Sequence, residues 1–496
     1  MDTKEYDVVV VGGGINGAGI ARDLAGRGYS VLLCEKDDLA QHTSSSSTKL
    51  IHGGLRYLEY YEFGLVRKAL QEREVLLKSA PHIMWPLRFV MPHDSHLRPA
   101  WLIRAGMFLY DHLARREILP GSRGVSLKKH VAGGPLRPHF HTGFIYSDGW
   151  VQDARLVTLC AMDAQERGAT VLTRTAVTRA ERQAQGWLID LSDDSGQTRQ
   201  VHAKALVNAA GPWVGSFLET AQVEAKRKVR LVKGSHIVVK RLYDHPYAYI
   251  FQNPDKRIIF AIPFEQDFTL IGTTDVEYTG DPAKVAIDAD ETAYLCDMAS
   301  RYFTRAVIPA DVVWTYSGVR PLLDDESSNA ASVTRDYELV LDQTGAPLLS
   351  VFGGKITTFR KLAEEAADRL QGLLKPGRGA WTASAALPGG DLPVDITPYI
   401  EQLETDYPWL PAGMAQRLAR TYGSRSSRIL EGRRDLSDLG TEVVPGLFEA
   451  ELRYLVEAEF ARKAEDILWR RSKLGLRLPA DAASKLDAWL STFRGA

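Results

Sequence analysis

Tyr6 to Glu35 reads YDVVVVGGGINGAGIARDLAGRGYSVLLCE. Its first six residues are a nearly unbroken apolar run, as expected of a strand buried on both faces of a parallel sheet. Gly12, Gly14 and Gly17 follow in a GxGxxG pattern, then a helix-like stretch from Ile15 to Gly26 with Gly28 as its stop. Ser30 to Cys34 is a second strand, and Glu35 sits at its end. Gly12 permits the tight turn, Gly14 lets the backbone approach a pyrophosphate, and Gly17 lets the helix pack close to the strand. The helix N-terminus offers N–H groups and a positive dipole to phosphates. Glu35 is placed to bind ribose hydroxyls. GxGxxG alone is weak; strand, glycines, helix, strand and acid in this order are strong.

Two distant stretches extend the pattern. Ala205–Gly211, followed by Pro212 and Trp213, is a strand running into small residues. Leu349–Arg360 reads LSVFGGKITTFR: another strand, a Gly-Gly turn, and a helix start with Lys355, Thr357 and Thr358. Each alone fits a plain strand end equally well. Together they describe a site begun at residue 12 and completed near residue 355, so its domain is interrupted by insertions. That layout resembles the glycine oxidase and amino-acid oxidase superfamily and favours FAD over NAD. In it, the segment SSSSTKLIHGGLRY (Ser44–Tyr57) runs along the flavin ring and carries His52, Arg56 and Tyr57 to it.

The bulk numbers restrict the class. The chain has 496 residues, enough for two to four domains. Charged residues are 25% and the net charge is -1, so no global field points to nucleic acid. Cys34, Cys160 and Cys296 show no disulfide or metal spacing, which fits a reducing cytoplasm and no metal. No signal-peptide pattern, spanning apolar run or internal repeat is seen.

The motifs VVVVGGGINGAGIARDLAGRG, TSSSSTKLIHGGLRYLEYYEFGLVRKALQERE, LVKGSHIVV, IGTTDVEYTGDP, WTYSGVRPLLDD, SVFGGKITTFRKLAE and AEFARKAEDILWRRSKLGLRL cover essentially the whole chain. They resemble the bacterial FAD-dependent glycerol-3-phosphate dehydrogenases. The resemblance implies an α/β fold: a Rossmann-like FAD-binding domain, an antiparallel-sheet substrate domain and a C-terminal helical cap. The expected boundaries are 1–80, 150–215 and 345–375 for the FAD domain, 81–149 and 216–344 for the substrate domain, and 390–496 for the cap. The run YELVL (337–341) is expected in the substrate sheet. Residues 375–392, rich in Gly, Pro, Ala and Ser, read as a linker.

The resemblance also implies oxidation of sn-glycerol 3-phosphate to dihydroxyacetone phosphate, with electrons passed to a membrane quinone. Cofactor contacts are expected from Gly12, Gly14, Ile15, Asn16, Gly17, Glu35 and Lys36, and from Thr43, Ser44, Ser45, Ser47, Thr48, Lys49 and Leu50. Val177, Ala209, Ala210, Gly211 and Trp213 join them, as do Gly353, Gly354, Lys355, Ile356 and Thr357. A phosphate dianion calls for several cations, with Arg preferred for its fork of donors. Arg56, Arg320, Arg335 and Lys355 are the candidates. The base that takes the C2 hydroxyl proton is expected to be a histidine, His52 narrowly ahead of His236. Arg320 holds the C2 oxygen, and Tyr57 supplies a hydrogen bond or a wall.

Expected partners are glycerol 3-phosphate, a quinone, the inner face of the cytoplasmic membrane as a peripheral surface, and a second copy of the chain. The stretch HLRPAWLIRAGMFLYDHLARRE (96–117) has an apolar face flanked by Arg98, Arg104, Arg115 and Arg116. It suits either a membrane interface or an ordinary packed helix. The basic end Arg470-Arg471-Ser472-Lys473 with Arg477 reads as a solvated or dimer-contact face. Rival readings are an oxidase using O2, an amine or amino-acid oxidase of the same fold, and a non-catalytic scaffold. The cation surplus argues against the amine oxidases. An added central insertion, usual in the oxidases, is not seen.

Overall fold

A computed structural model describes residues 4–255, 257–323 and 336–495. Two large sheets organise the fold, one of eight strands and one of ten.

The first sheet is built on β1 (Lys4–Val11), whose Val8, Val9 and Val10 are wholly buried. β1 pairs in parallel with β2 (Val31–Cys34) on one side and with Thr198–Asn208 on the other. Thr198–Asn208 in turn pairs in parallel with Leu348–Gly353. Crossovers therefore bring residues 11, 34, 208 and 353 to one edge, the carboxyl ends of parallel strands where such sheets bind ligands. Between β1 and β2 runs α1 (Ile15–Gly26). Its glycines are there for contact: a Cβ on Gly17 would lie 1.9 Å from the Gly12 carbonyl oxygen. One on Gly19 would lie 2.9 Å from the ring of Phe359.

The second sheet is mostly antiparallel. Val229–Lys240 pairs with Val312–Leu323 in a register that sets Val232 against Arg320 and His236 against Tyr316. Met84–Pro92 and Thr142–Val151 join the same sheet, as does the short strand Leu50–Ile51. The run before His52 thus belongs to the second sheet, while Gly12 and Gly353 belong to the first.

Three expectations are corrected. Tyr337–Asp342, expected in the substrate sheet, pairs antiparallel with Leu348–Gly353 at the edge of the first. The alternating pattern of such a strand suits either sheet. Residues 375–392 hold no helix or strand but are not a loose linker. Trp381 covers Gly26, where a Cβ would lie 2.1 Å from its ring, and its indole N–H donates to the Asp23 carbonyl at 3.0 Å. Farther along, the Leu387 N–H donates to the Ser79 carbonyl at 2.8 Å.

The basic end is the third. Arg470 and Arg471 are buried, not solvated, with Asp38 Oδ2 2.6 Å from Arg470 Nε and Asp38 Oδ1 2.8 Å from Arg471 Nη2. Burial, reinforced by Lys49, lowers the ammonium of neighbouring Lys473 to about 7. Arg477 remains part-exposed and reaches Asp267 at 2.9 Å. A buried charge needs a partner, and here the partner is supplied from the opposite end of the chain.

Candidate active site

One cleft of about 550 Å³ opens between the sheets at the strand ends. Its first end is the glycine turn. Gly12 has φ +109°, and a Cβ there would lie 2.5 Å from the Ala209 carbonyl oxygen, so only glycine fits. Glu35 accepts from the Gly13 N–H at 2.6 Å and from the Asp37 N–H at 2.8 Å. Burial nonetheless pushes its carboxyl upward from the usual range. Ser44 Oγ accepts from the Ile15 N–H at 2.9 Å, fixing the serine run against the α1 N-terminus. Asn16 donates from its amide to the Gly353 carbonyl at 3.2 Å, which joins the two halves of the site. Its buried Oδ1 has no hydrogen-bond partner among the described residues.

The other end lies where Gly353 (φ +72°) and Gly354 (φ +102°) turn into the helix Phe359–Gln371. Thr357 Oγ1 accepts from the His52 N–H at 3.2 Å. The Lys355 ammonium stands 4.1 Å from the centre of the Tyr57 ring. His52, Arg56, Tyr57, His236, Arg320 and Lys355 all line the cleft. Gly234 makes the room for Arg320, since a Cβ there would lie 2.1 Å from its guanidinium. Arg320 pairs with Asp275 at 2.5 Å and donates to the Thr274 carbonyl at 3.0 Å.

The two histidines differ. His236 is fully buried, stacked on Tyr316 at 4.7 Å, with Nε2 3.0 Å from Thr48 Oγ1. Burial, then Lys49 and Arg320, push its pKa well below the ordinary value, so it is neutral. His52 is half-buried on a segment held from both sides. Behind it the Gly53 N–H donates to Tyr110 Oη at 3.0 Å, and Tyr110 donates to Asp148 at 2.7 Å. Arg73 completes the set, 2.6 Å from Asp148.

Most residues singled out from the sequence meet in this cleft. Gly17, Ser45 and Lys49 do not line it. Gly17 packs the helix on the turn. Lys49 is buried against Asp153 at 2.8 Å, and Ser45 Oγ bonds the His42 carbonyl at 3.3 Å. Arg335 lies outside the described residues. Sequence reading passed over Asp275 and Thr273 in the IGTTD motif, His42, and Tyr146 with Asp148. Asp275 had a signal, an acid directly after the small and hydroxyl residues Gly272, Thr273 and Thr274 of its motif. Cys34 also lines the cleft, but burial pushes its thiol up to about 12, so it is no nucleophile.

A cleft with a helix N-terminus at each end suits a long cofactor that carries negative charge at both, and this is the pattern of the flavin-dinucleotide oxidoreductases. The glycine cradle, the Glu35 carboxylate and the orphan Asn16 oxygen fit such a group. The chain belongs to the FAD dependent oxidoreductase family, whose model matches residues 7–360, and within it to the glycerol-3-phosphate dehydrogenases. Residues 380–493 match a second family, the C-terminal domain of alpha-glycerophosphate oxidase. A glycerol-3-phosphate dehydrogenase of Pseudomonas aeruginosa is 54% identical over 98% of this chain and 95% of its own. A D-erythritol 1-phosphate dehydrogenase of Brucella abortus is 51% identical over 98% of each. The crystal structure of the Bacillus halodurans glycerol-3-phosphate dehydrogenase complexed with FAD, 27% identical, superposes with a TM-score of 0.77. It covers 99% of this chain and 94% of that one. FAD is the cofactor.

Proposed function

We propose that the protein oxidises sn-glycerol 3-phosphate to dihydroxyacetone phosphate and passes the electrons to a membrane quinone. The observation that carries the substrate reading is the presence of Arg56, Arg320 and Lys355, drawn from three distant parts of the chain, in the lining of one flavin cleft. A carboxylate substrate needs one or two such cations; a phosphate dianion uses all of them. The relatives named for polyol phosphates agree.

Bound FAD supplies the acceptor for the hydride on the substrate's C2. Gly12, Gly14, Glu35, Ser44 and Thr48 would hold it along the cleft, with Lys355 and the late helix start at its ring end. Arg56 grips the phosphate, and Arg320, fixed by Asp275, holds the C2 oxygen. His52 takes the hydroxyl proton. His236 is the poorer base, because its surroundings oppose the charged form it would have to adopt. The same reading divides the chain into a discontinuous FAD domain, a substrate domain and a C-terminal cap.

Beside the cleft mouth, the helix Ala100–His112 buries Met107 and Tyr110 and leaves Trp101 71% and Phe108 58% exposed. Tyr60, Tyr61 and Phe63 are exposed on the adjoining turn. No described helix is long and apolar enough to cross a membrane. The exposed aromatics with Arg98 and Arg115 suit peripheral attachment to an anionic membrane surface, where a lipid-soluble quinone is met.

The test is anaerobic bleaching of the protein-bound flavin band at about 450 nm. Glycerol 3-phosphate should bleach it rapidly; glycerol and an amino acid should not. D-erythritol 1-phosphate as a further arm reads chain-length preference. No bleaching by either phosphate ester rejects the reading. Recolouring by quinone but not by air identifies a dehydrogenase, and fast recolouring by air an oxidase.

A further inference from the structure

The loop after β2 wraps the first end of the cleft. Its Ala40 N–H donates to the Gly13 carbonyl at 3.1 Å, and Ala40, Gln41 and His42 line the cavity. A second wall, Thr175–Val177, is joined to it: the Arg174 N–H donates to the Asp37 carbonyl and the Thr175 N–H to the Glu35 carbonyl, both at 2.8 Å. Neither wall is anchored within its own domain alone. Asp38 is held by Arg470 and Arg471, and Arg174 Nη2 is 2.8 Å from Asp466 Oδ2. Arg470 also bonds Asp466, at 2.6 Å, which closes the set. Asp38, Asp466 and Arg471 have fully buried side chains. Burial opposes the charge on Asp38, but Arg471 and Arg470 outweigh it and hold the carboxyl below its usual range.

We propose that the short helical segment Asp466–Arg471 of the C-terminal region is an outer support of the cofactor site, a clamp whose buried ion network holds the two walls closed on bound FAD. Asp38, Arg470 and Arg471 are then positioning residues for the cofactor, acting through Glu35 and the 40–42 loop without touching it. The inference rests on the FAD cofactor and not on the choice of substrate. It also assigns the C-terminal region a task beyond covering apolar surface. Coupling of this kind is reciprocal: if the clamp tightens FAD binding, FAD must tighten the clamp.

The experiment uses full-length holoprotein carrying Asp38→Asn, nearly isosteric and uncharged. FAD release on dilution is followed by the rise of free-flavin fluorescence. At least tenfold faster release is expected, with KM for glycerol 3-phosphate at saturating FAD within twofold of the parent. Release within twofold of the parent, with only the melting temperature lowered, overturns the proposal. If the variant does not fold, hydrogen exchange on the parent decides. Stripping FAD from the full chain should speed exchange in 36–43 and also in 462–473. Unchanged exchange in 462–473 sinks the clamp.

Discussion

The protein gathers arginines in two places, and the two are opposites. Where the C-terminal helices meet the first sheet, Arg174, Arg470 and Arg471 are buried and face Asp38 and Asp466 from fixed distances. At the cleft mouth, Arg56 and Arg320 are only half-buried. Among the described residues Arg56 bonds a tyrosine hydroxyl at 3.4 Å and has no carboxylate partner. Arg320 shares one, Asp275. Cations whose charge is answered inside the protein hold the fold; cations whose charge is under-answered beside a cavity await an anion. The same side chain serves both ends, and the count of nearby carboxylates tells them apart.

The largest effect should come from breaking the open cluster. Arg320→Met should lower kcat/KM for glycerol 3-phosphate about 10³-fold, about 4 kcal/mol from two charged hydrogen bonds. Its melting temperature should stay near the parent's. A variant as active as the parent would put Arg320 with the structural arginines.

The closed kind of pairing should fail in the other way. Arg155 in the helix Asp153–Glu166 is buried against Glu459, 2.9 Å from Nη2 to Oε1, across 304 residues. Glu459→Gln should cost about 3 kcal/mol of stability by leaving a buried guanidinium without its counter-charge. The urea midpoint should fall while KM and kcat of the folded protein hold within twofold. A kinetic loss without a stability loss would erase the distinction between the clusters.

The junction also contains a neutral group, and it sharpens the contrast through pH. His82 is fully buried, with neither ring nitrogen hydrogen-bonded among the described residues. Burial, then Arg155 and Arg420, lower its pKa to about 3. The unfolded chain binds a proton below about pH 6.5 that the folded chain refuses, so stability falls with pH from there down to about 3. By pH 5 the loss is about 2 kcal/mol. His82→Leu should remove that part of the acid loss, read as the difference in unfolding free energy between pH 7.5 and pH 5. Equal acid losses in both proteins would assign the loss to other groups.

The smallest effect concerns the surface beside the open cluster. Trp101→Ser and Phe108→Ser should each weaken binding to anionic vesicles by about 1 kcal/mol, roughly fivefold. Bleaching by glycerol 3-phosphate in solution should be unchanged. Undiminished vesicle binding would free that face from any role at a lipid surface.

What could be read from the sequence was what depends on neighbours in the chain. Gly12 makes the tight turn and Gly17 the close helix packing that their spacing requires, and Glu35 stands at its strand end against the Gly13 N–H, because turn, helix start and strand end lie within one unit of 30 residues. The Gly353-Gly354 turn and the place of His52 in the cleft were legible for the same reason. Arg470 and Arg471 were misread because their burial is decided by Asp38, 432 and 433 residues away. The strand Tyr337–Asp342 was misplaced because its alternation fits either sheet, and only its pairing with Leu348–Gly353 chooses one. Tyr110 behind Gly53 was invisible among the apolar residues of the helix Ala100–His112, where its hydroxyl's partner could not be known.

The order of strands in the first sheet has a consequence for synthesis. β1 leaves the ribosome first, yet one neighbour, Thr198–Asn208, arrives some two hundred residues later, and the strand beyond it only at Leu348–Gly353. Until residue 208 has been made, the nascent glycine turn has one parallel neighbour, β2, and an apolar flank still to be covered. Long-range parallel pairing is slow and leaves such flanks open to aggregation. Chains released before residue 353 lack both the strand and the helix start that close the cleft, so flavin colour in a translation series should appear only with the late strand.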